Sequence, residues 1–323
     1  MQSFVCASHG HCFDGLASAA LLTDLVKQTR PETAFTYRAL GYGAQPTRVV
    51  FSGQQNALLD YKYLADPALT YYLDHHPTAF SDDETFRHFE ARRNADSIHF
   101  VHDASSVSCA NLVATLARRE YGYDSAQNRE LEAFAEKIDG ARFDSVQEAI
   151  DLDSPLMRLV STVTHFGDDD FYRQAVSILQ AEGLHGLADQ KWVQAKFMKL
   201  APAIEALNKR IKKHGALVGR VAMIHLLDGP SHVISKFRQY YEFPSAVYSV
   251  LLLRTHEMIR ISVGYNPWCG QPCDVNIGNI CQSYGGGGHA FVGAIGLPED
   301  KAADAIQIAG TIAKALQTPE VLP

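Results

Sequence analysis

The first 120 residues alternate between short apolar runs and helix-like segments, and this alternation constrains the fold most strongly. The runs that read as strands are "SFVCAS", "TAFTYRAL", "TRVVFS", "NALLD", "ALTYYLDHH" and "SIHFVHD". The segment "GLASAALLTDLVKQ" reads as an amphipathic helix, and "SSVSCANLVATLARREYG" has a serine cap, helical periodicity and a terminal glycine. Strands that alternate with helices predict an α/β domain with a doubly wound, mostly parallel sheet.

The rest of the chain predicts a helical stretch and then a second α/β region. Residues 128–214 are almost wholly helical in pattern, and the strand-like runs "LVGRVAMIHLL", "AVYSVLLLR" and "MIRISVGY" follow. Two further segments, "CDVNIGNICQSYG" and "KAADAIQIAGTIAKALQ", read as helices. A length of 323 residues suits two domains of ~100–200 residues each. We predict a first domain over residues 1–185, a helical connector over 186–214 and a smaller α/β domain over 215–323.

Composition excludes several classes of protein. A net charge of −7 argues against a large basic surface for long duplex nucleic acid. No run approaches ~18 apolar residues and no signal peptide is recognisable, so we expect a cytoplasmic protein without a membrane span. The six cysteines are scattered, and Cys269, Cys273 and Cys281 have no matching pair elsewhere, so reduced thiols are expected rather than disulfides or a zinc site.

Polar residues with metal-binding chemistry follow the first predicted strand. His9, His11 and Asp14 stand in "SHGHCFDG", at a strand-to-helix turn. In a doubly wound sheet, ligands bind at the carboxyl ends of the strands. The pattern fits either a metal-ligand cluster or a helix cap with exposed histidines, and the residues alone do not decide.

Further candidates follow later strands and a helix. Asp74, His75 and His76 end one apolar run, and Asp60 ends another fourteen residues earlier. Adjacent carboxylate and imidazole groups suit a cation that accepts both oxygen and nitrogen ligands. Asp139 ends a predicted helix, where a negative charge is electrostatically unfavourable, so another interaction is expected to hold it there.

The run "YGGGGHAFVGA" contains Gly285, Gly286, Gly287 and Gly288, followed by His289. Each glycine costs ~0.5–1 kcal/mol relative to alanine within regular structure. Such a run is explained where backbone amides must approach an anionic group such as a phosphate. The alternative is a flexible loop, although apolar sequence bounds it closely.

Taken in order, these segments resemble the motifs of the DHH phosphoesterase superfamily, in the branch that carries a DHH-associated C-terminal domain. The motifs are "SHGHCFDGLASA", Asp60, "LDHH", "KIDGARF" and "GGGGHAFVGA". The resemblance covers nearly the whole chain and points to the nanoRNase and dinucleotide phosphodiesterase group. It implies two divalent ions, most often Mn2+, in a cleft between a catalytic domain and a substrate-binding domain.

The resemblance also implies a role for each site residue. His9 would bind the first metal, Asp14 the second, and Asp60 both. His75 and Asp139 would complete the second site, Asp74 would bind or support a ligand, and His76 would contact the scissile phosphate. The remaining implied substrate contacts are in the second domain, namely Gly285, Gly286, Gly287, Gly288 and His289; Arg238 and Arg260 are added as candidate phosphate contacts.

One position departs from the family pattern. The first motif of the family normally supplies two aspartates, and here only Asp14 is present, with His11 or Cys12 near the place of the other. Our hypothesis from the sequence is that His11 is a nitrogen ligand, which would favour manganese, cobalt, zinc or iron over magnesium. The alternative is that His11 only forms nearby hydrogen bonds.

The implied function is hydrolysis of short oligoribonucleotides or linear dinucleotides to nucleoside 5′-monophosphates by two-metal chemistry. Cyclic-dinucleotide phosphodiesterase and 3′-phosphoadenylate phosphatase activities are alternatives within the same class. From a different class, a nucleotide sensor with a degenerate metal site is also considered. The pattern H-x-H-x-D-H of metallo-β-lactamase-like hydrolases fits less well, since the aspartate is displaced and Gly15 replaces the last histidine. A homodimer is possible on the frequency of such assemblies alone.

Overall fold

The computed structural model describes residues 2–41, 51–231, 233–255 and 258–317. The chain divides into two compact units. The first comprises residues 1–143 and 152–197, and the second comprises residues 144–151 and 198–323. The division at residues 197 and 198 lies inside the predicted connector, within a long helix, α8 (Lys191–His214).

The first unit contains a five-stranded parallel sheet. Its strands are β1 (Ser3–His9), β2 (Ala34–Leu40), β3 (Gln55–Leu59), β4 (Tyr71–Asp74) and β5 (Phe100–His102), in the order β2-β1-β3-β4-β5. Its helices besides α8 are α1 (Phe13–Thr29), α2 (Asp83–Ala95), α3 (Cys109–Tyr121), α4 (Ala126–Asp139), α6 (Pro155–Phe166) and α7 (Asp169–Ala188), the last with a break at Gly183. This confirms the predicted parallel α/β fold.

Burial explains why the central elements are the most apolar. The middle five residues of β1 are buried, and α1 is buried over most of its circumference. Leu16 and Leu22 of α1 pack in one core with Phe4 of β1, Val113 of α3 and Tyr172 of α7. A helix that is apolar on several faces is expected in such a central position. The sheet and α1 therefore form a fixed support for the residues that follow the strands.

The second unit contains a six-stranded mixed sheet. Its strands are β6 (Gly215–Val218), β7 (Val221–Leu226), β8 (Tyr248–Arg254), β9 (Ile259–Tyr265), β10 (Gly287–His289) and β11 (Val292–Leu297), in the order β10-β11-β9-β8-β7-β6. Only the β7–β8 pair is parallel among the described strands of this sheet. Its helices are α5 (Val146–Ala149), α9 (Arg238–Glu242), α10 (Ile277–Gln282) and α11 (Ala302–Ala315).

Three predicted elements differ from the structure. The run "LVGRVAMIHLL", predicted as one strand, contributes to the two strands β6 and β7, with a turn between them. Residues 47–50 of "TRVVFS" lie outside the described residues, and the last two residues of that run are not in a strand. The helix predicted over 273–285 was too long, because only Ile277–Gln282 is helical. Asn276 caps its start by accepting a hydrogen bond from the Asn279 amide. Within the described residues, no helix combines the length and hydropathy needed to span a membrane.

Candidate metal centre

The strand ends of the first sheet bring the predicted residues together. His9 is the last residue of β1, Asp60 follows β3, and Asp74 is the last residue of β4, with His75 and His76 directly after it. These three strands are neighbours and run parallel, so their carboxyl ends lie at one edge of the sheet. The convergence expected from the sequence is therefore present.

Backbone geometry at two positions supports this arrangement. Asp60 has a φ of 53°, in the left-handed region that few residues other than glycine adopt. Backbone strain of this kind persists where surrounding structure fixes it, and it is common at functional sites. Gly15 permits α1 to begin beside β1, because a Cβ there would lie 2.1 Å from the His9 carbonyl oxygen.

Two carboxylates reach the same place from helices. Asp14, in the first turn of α1, is 1% exposed and accepts hydrogen bonds from the amides of Cys109 (2.7 Å) and Ala110 (2.9 Å) at the start of α3. Amides at a helix N-terminus stabilise an anion. Asp139, the last residue of α4, lies with its Oδ2 3.5 Å from His75 Nε2.

His75 has the orientation expected of a metal ligand. Its Nδ1 lies 3.2 Å from the Ser106 carbonyl oxygen, which can only accept, so Nδ1 carries the proton. Its Nε2 faces carboxylate oxygens of Asp14 at 3.7 Å, Asp60 at 3.5 Å and Asp139 at 3.5 Å. Histidines that bind metals usually donate their other N–H in this way.

The electrostatics of the cluster favour a bound cation. Burial, together with the charges of Asp60 and Asp139, raises the pKa of Asp14 well above its usual range. Burial also opposes ionisation of Asp60, but the contacts with His75 and His9 outweigh it and lower the pKa of Asp60. Burial alone would lower the pKa of His75, but the carboxylates of Asp60, Asp139 and Asp14 outweigh it and raise that pKa to about 10.

A buried oxygen of Asp60 also favours a bound cation. Asp60 Oδ2 is buried and lies 3.5 Å from His9 Nδ1, which is longer than a normal hydrogen bond. A buried carboxylate is costly unless it is paired or coordinates a metal. The donor set of carboxylates and imidazoles therefore fits divalent cations, and manganese, iron, cobalt and zinc accept such mixed ligands.

Three groups of side chains place their ligand atoms within 4.8 Å of one another in the described part of the chain. They are His9 with Cys12 and Asp60; Asp60 with His75 and His76; and Asp14 with His75 and Asp139. Asp60 and His75 each belong to two groups. Two adjacent ion positions that share ligands would account for this overlap.

His11 is not part of these groups, and Cys12 is. His11 is exposed, has a φ of 58°, and donates its amide to the Gly167 carbonyl oxygen at 3.1 Å. This turn directs the chain so that Cys12, one residue later, joins His9 and Asp60. The hypothesis that His11 is a nitrogen ligand is therefore not supported by these groups, and Cys12 lies where a further ligand was expected.

Asp74 supports His76 through a hydrogen bond. Its Oδ1 accepts a bond from His76 Nδ1 at 2.8 Å, and its Oδ2 accepts one from the Tyr72 hydroxyl at 3.2 Å. Burial alone would lower the pKa of His76, but this bond and the charge of Asp60 raise the pKa above its usual value. Asp74 thus fixes the orientation of the His76 ring through Nδ1 and leaves Nε2 as the second ring nitrogen.

The residues predicted to contact substrate belong to the second unit. A Cβ on Gly286 would lie 2.2 Å from the Ala294 carbonyl oxygen, and one on Gly288 would lie 2.2 Å from that of Val292. Close packing of β10 on β11 therefore explains these two glycines, whereas Gly285 and Gly287 have no atom within 4 Å of an added Cβ. His289 ends β10.

The two arginines have partners within the second unit. Arg238, the first residue of α9, forms an ion pair with Glu242 and lies over the Tyr241 ring at 4.6 Å. Arg260 lies on β9, and its Nε donates to the Ser262 hydroxyl at 3.2 Å. Phosphate binding by Arg238 and Arg260 stays a prediction.

Sequence reasoning missed residues that hold the ligands. The Tyr172 hydroxyl lies 2.7 Å from the His9 carbonyl oxygen and 2.8 Å from that of Cys12. Ser106 orients His75 through its backbone. Tyr172 reads in the sequence as one apolar position of a helix, and a backbone carbonyl carries no residue-type signal, so neither was detectable.

No protein-family model matches the chain, and no curated protein is similar to it in sequence. Solved structures do match. A pGpG-specific phosphodiesterase, PggH from Vibrio cholerae, is 15% identical with a TM-score of 0.58, over 96% of this chain and 99% of that one. The DHH domain of a member of the S1p family of ribosomal proteins is 13% identical with a TM-score of 0.63, over 98% and 87%.

A third match is RecJ from Thermus thermophilus in complex with Mn2+. It is 10% identical with a TM-score of 0.59, over 97% of this chain and 52% of that one. These similarities extend along almost the whole chain. The chain therefore has the fold of DHH-domain proteins, which confirms at the level of the fold the resemblance seen in its motifs.

Proposed function

We propose that this chain is a metal-dependent phosphodiesterase of the DHH superfamily that hydrolyses short oligoribonucleotides or linear dinucleotides to nucleoside 5′-monophosphates. The observation that carries the proposal is the group of Asp14, Asp60, His75 and Asp139 at the end of the parallel sheet. Its fold is shared with a phosphodiesterase specific for pGpG, a linear dinucleotide, and with a Mn2+-bound RecJ.

Two divalent ions, most often Mn2+ in the resembled family, would supply positive charge that activates water and stabilises the phosphoryl transition state. The protein residues would hold the ions and the substrate. His75 is fixed by Ser106, and Asp14 by the amides of α3, so both present the same atoms to the centre. Such fixed ligands reduce the reorganisation needed during reaction.

His76 would contact the scissile phosphate. The bond to Asp74 and the charge of Asp60 favour its protonated form, so a positive charge and an N–H donor would face an anionic substrate. In the second unit, Gly287 of the glycine run would accommodate a phosphate close to its backbone, since the structure leaves space there. His289, Arg238 and Arg260 remain proposed substrate contacts.

The test is product analysis with purified full-length protein and Mn2+. The substrates are pGpG and pApA, cyclic dinucleotides, and 3′-phosphoadenylate, with products separated by ion-exchange chromatography. We expect nucleoside 5′-monophosphates from the linear dinucleotides, and loss of at least about 100-fold in rate in Asp60→Asn and His75→Gln. The control Asp189→Asn changes an exposed carboxylate at the end of α7.

The other outcomes separate the alternatives. Preferential cleavage of cyclic dinucleotides, or release of phosphate from 3′-phosphoadenylate, would replace the proposed substrate within the same reaction class. Metal binding without turnover of any substrate would contradict the proposal and support a nucleotide sensor. Equal activity of Asp60→Asn and the wild type would exclude the cluster as the active site.

A further inference from the structure

Cys12 lies between β1 and α1, beside the residues of the candidate metal centre. Its sulfur lies within 4.8 Å of the ligand atoms of His9 and Asp60. The group therefore combines an imidazole nitrogen, a carboxylate oxygen and a sulfur. It occupies the N-cap position of α1 with an extended backbone, but its side chain does not cap the helix. The Asp60 carboxylate in the same group is buried, and its Oδ2 lies 3.5 Å from His9 Nδ1, farther than in a normal hydrogen bond.

We propose that Cys12 binds one of the metal ions through its sulfur, together with His9 and Asp60. The inference rests on the metal centre of the proposed function and names the residue that sets its metal preference. A coordinated cysteine is a thiolate. Thiolate ligands favour zinc, iron or cobalt, whereas magnesium prefers oxygen ligands. The position bound by Cys12 would therefore discriminate strongly against magnesium.

Charge supports the assignment of a thiolate to this position. Two divalent ions bring four positive charges, and the carboxylates of Asp14, Asp60 and Asp139 supply three negative ones. A thiolate at Cys12 supplies the fourth, and a neutral histidine at position 11 would not. Balanced charge matters here because Asp14 and Asp60 are almost completely buried.

Local structure fixes Cys12 in place. Its carbonyl oxygen accepts from the Leu16 amide at 3.2 Å and lies 2.8 Å from the Tyr172 hydroxyl. The same hydroxyl lies 2.7 Å from the His9 carbonyl oxygen, so one buried side chain holds the backbone of both ligands. Three other cysteines, Cys6, Cys109 and Cys281, are buried, whereas Cys12 is partly exposed beside the cluster.

The experiment uses the full chain, freed of metal and titrated with Co2+ alone. Thiolate bound to Co2+ gives a charge-transfer band in the near ultraviolet, and carboxylate and imidazole ligands do not. We expect the band in the wild type, in His11→Ala and in Cys109→Ser, and its loss in Cys12→Ser and Cys12→Asp. Cys109→Ser is the matched control, because the Cys109 amide donates to Asp14 while its thiol donates to the Leu73 carbonyl oxygen.

The second readout is metal preference, measured by competition with a chelator. In Cys12→Asp, which supplies an oxygen ligand, the ratio of Zn2+ to Mn2+ affinity should fall about tenfold or more. Far-ultraviolet circular dichroism and the cobalt content by mass spectrometry establish that each variant is folded and loaded.

The results separate this inference from the proposed function. Cobalt-loaded wild type without the band, or Cys12→Ser with an unchanged band, would overturn thiolate ligation and leave the phosphodiesterase proposal standing. A wild type that shows the band but does not hydrolyse linear dinucleotides would overturn the phosphodiesterase proposal and leave thiolate ligation standing. Failure of the wild type to bind Co2+ at all would overturn both.

Discussion

Tyr172 is the residue that most directly couples the core to the candidate centre. It is fully buried on α7, and its single hydroxyl proton is shared between the carbonyl oxygens of His9 and Cys12. Burial raises the pKa of this phenol well above its usual value, so it stays a neutral donor. The spacing of two proposed ligands therefore depends on a side chain that contacts no metal.

Replacing Tyr172 by phenylalanine should weaken both stability and metal binding. A buried acceptor left without its donor costs about 1–3 kcal/mol in the free energy of unfolding. We also expect the affinity for Co2+ to fall about 10-fold, because the backbone of His9 and Cys12 loses its support. Urea denaturation of the metal-free protein and a cobalt titration measure the two effects.

Tyr240→Phe provides the control for this variant. The Tyr240 hydroxyl lies 2.9 Å from the Ser249 hydroxyl and is buried in the second unit. It should lower stability without changing cobalt affinity. An unchanged cobalt affinity in Tyr172→Phe would show that the hydroxyl has only a structural role.

Asp274 is a residue of the second unit whose negative charge pairs with Arg220. It accepts bonds from Arg220 at 2.5 and 2.7 Å and one from the Tyr248 hydroxyl at 2.5 Å. The bond from Arg220 is the largest influence and lowers the pKa of Asp274 below its usual 3.8. An acid whose pKa is lowered on folding stabilises the folded state above its unfolded pKa.

Asp274→Asn should therefore destabilise the protein by about 1 kcal/mol near pH 7, since the group is 32% exposed and partly screened by solvent. The difference from the wild type should hold down to about pH 5 and shrink as the pH falls below about 4, where Asp274 is protonated first in the unfolded state and, below its lowered folded-state pKa, in both states. Urea denaturation over that range measures it. Asp300→Asn, at an exposed position, should show no such trend, and a pH-independent difference would contradict this account.

At the scale of elements, the glycine run has two separate explanations. Gly286 and Gly288 are required because β10 pairs closely with β11, and Gly288 also has a φ of 151°. Gly287 lies between them without an atom near its missing side chain. Close packing thus explains Gly286 and Gly288, and the proposed approach of a phosphate concerns Gly287.

Alanine substitutions distinguish these explanations. Gly288→Ala should lower the free energy of unfolding by about 1–3 kcal/mol, because its backbone and space both exclude a side chain. Gly287→Ala should change stability by less than about 0.5 kcal/mol. If substrate approaches this strand, Gly287→Ala should still raise KM for pGpG several-fold. Thermal unfolding and steady-state kinetics provide the measurements, and an unchanged KM would leave Gly287 without a substrate role.

Hydrophobic periodicity was sufficient to predict the main elements of the fold. The strand β1, the helices α1 and α3, and the parallel sheet follow from runs whose apolar spacing matches what the core requires. It failed for α10, where the side chain of Asn276 sets the start of the helix after an apolar pattern has begun. Side-chain caps depend on local hydrogen bonds, which periodicity does not register.

The candidate site was predictable to the same extent and for a related reason. Residues after strand ends converge in any parallel sheet, so Asp60 and His75 could be paired from the sequence. The hypothesis that His11 is a ligand is not supported, because the chain turns at His11 with a left-handed φ and brings Cys12 to His9 and Asp60. The His11 amide donates to the Gly167 carbonyl oxygen, and a contact so distant in sequence leaves no signal in the local residue pattern.

At the scale of the whole molecule, the proposed ligands all come from the first unit, although they span the sequence from His9 to Asp139. They lie at the carboxyl ends of three strands, between β1 and α1, and on two helices of that unit. Binding of metal to the folded form alone stabilises that form, by about 2.7 kcal/mol at 100 times the dissociation constant. The stabilisation should therefore be greatest in the segments of the first unit that carry the metal ligands.

Hydrogen exchange with and without Mn2+ tests this distribution. We expect slower amide exchange at the carboxyl ends of β1, β3 and β4, at the start of α3 and at the end of α4, because metal binding would oppose local opening there. The strands β7, β8 and β9 of the second unit should change little. Asp60→Asn, which removes the carboxylate shared by two ligand groups, should abolish the effect, and protection confined to the second unit would place the metal elsewhere.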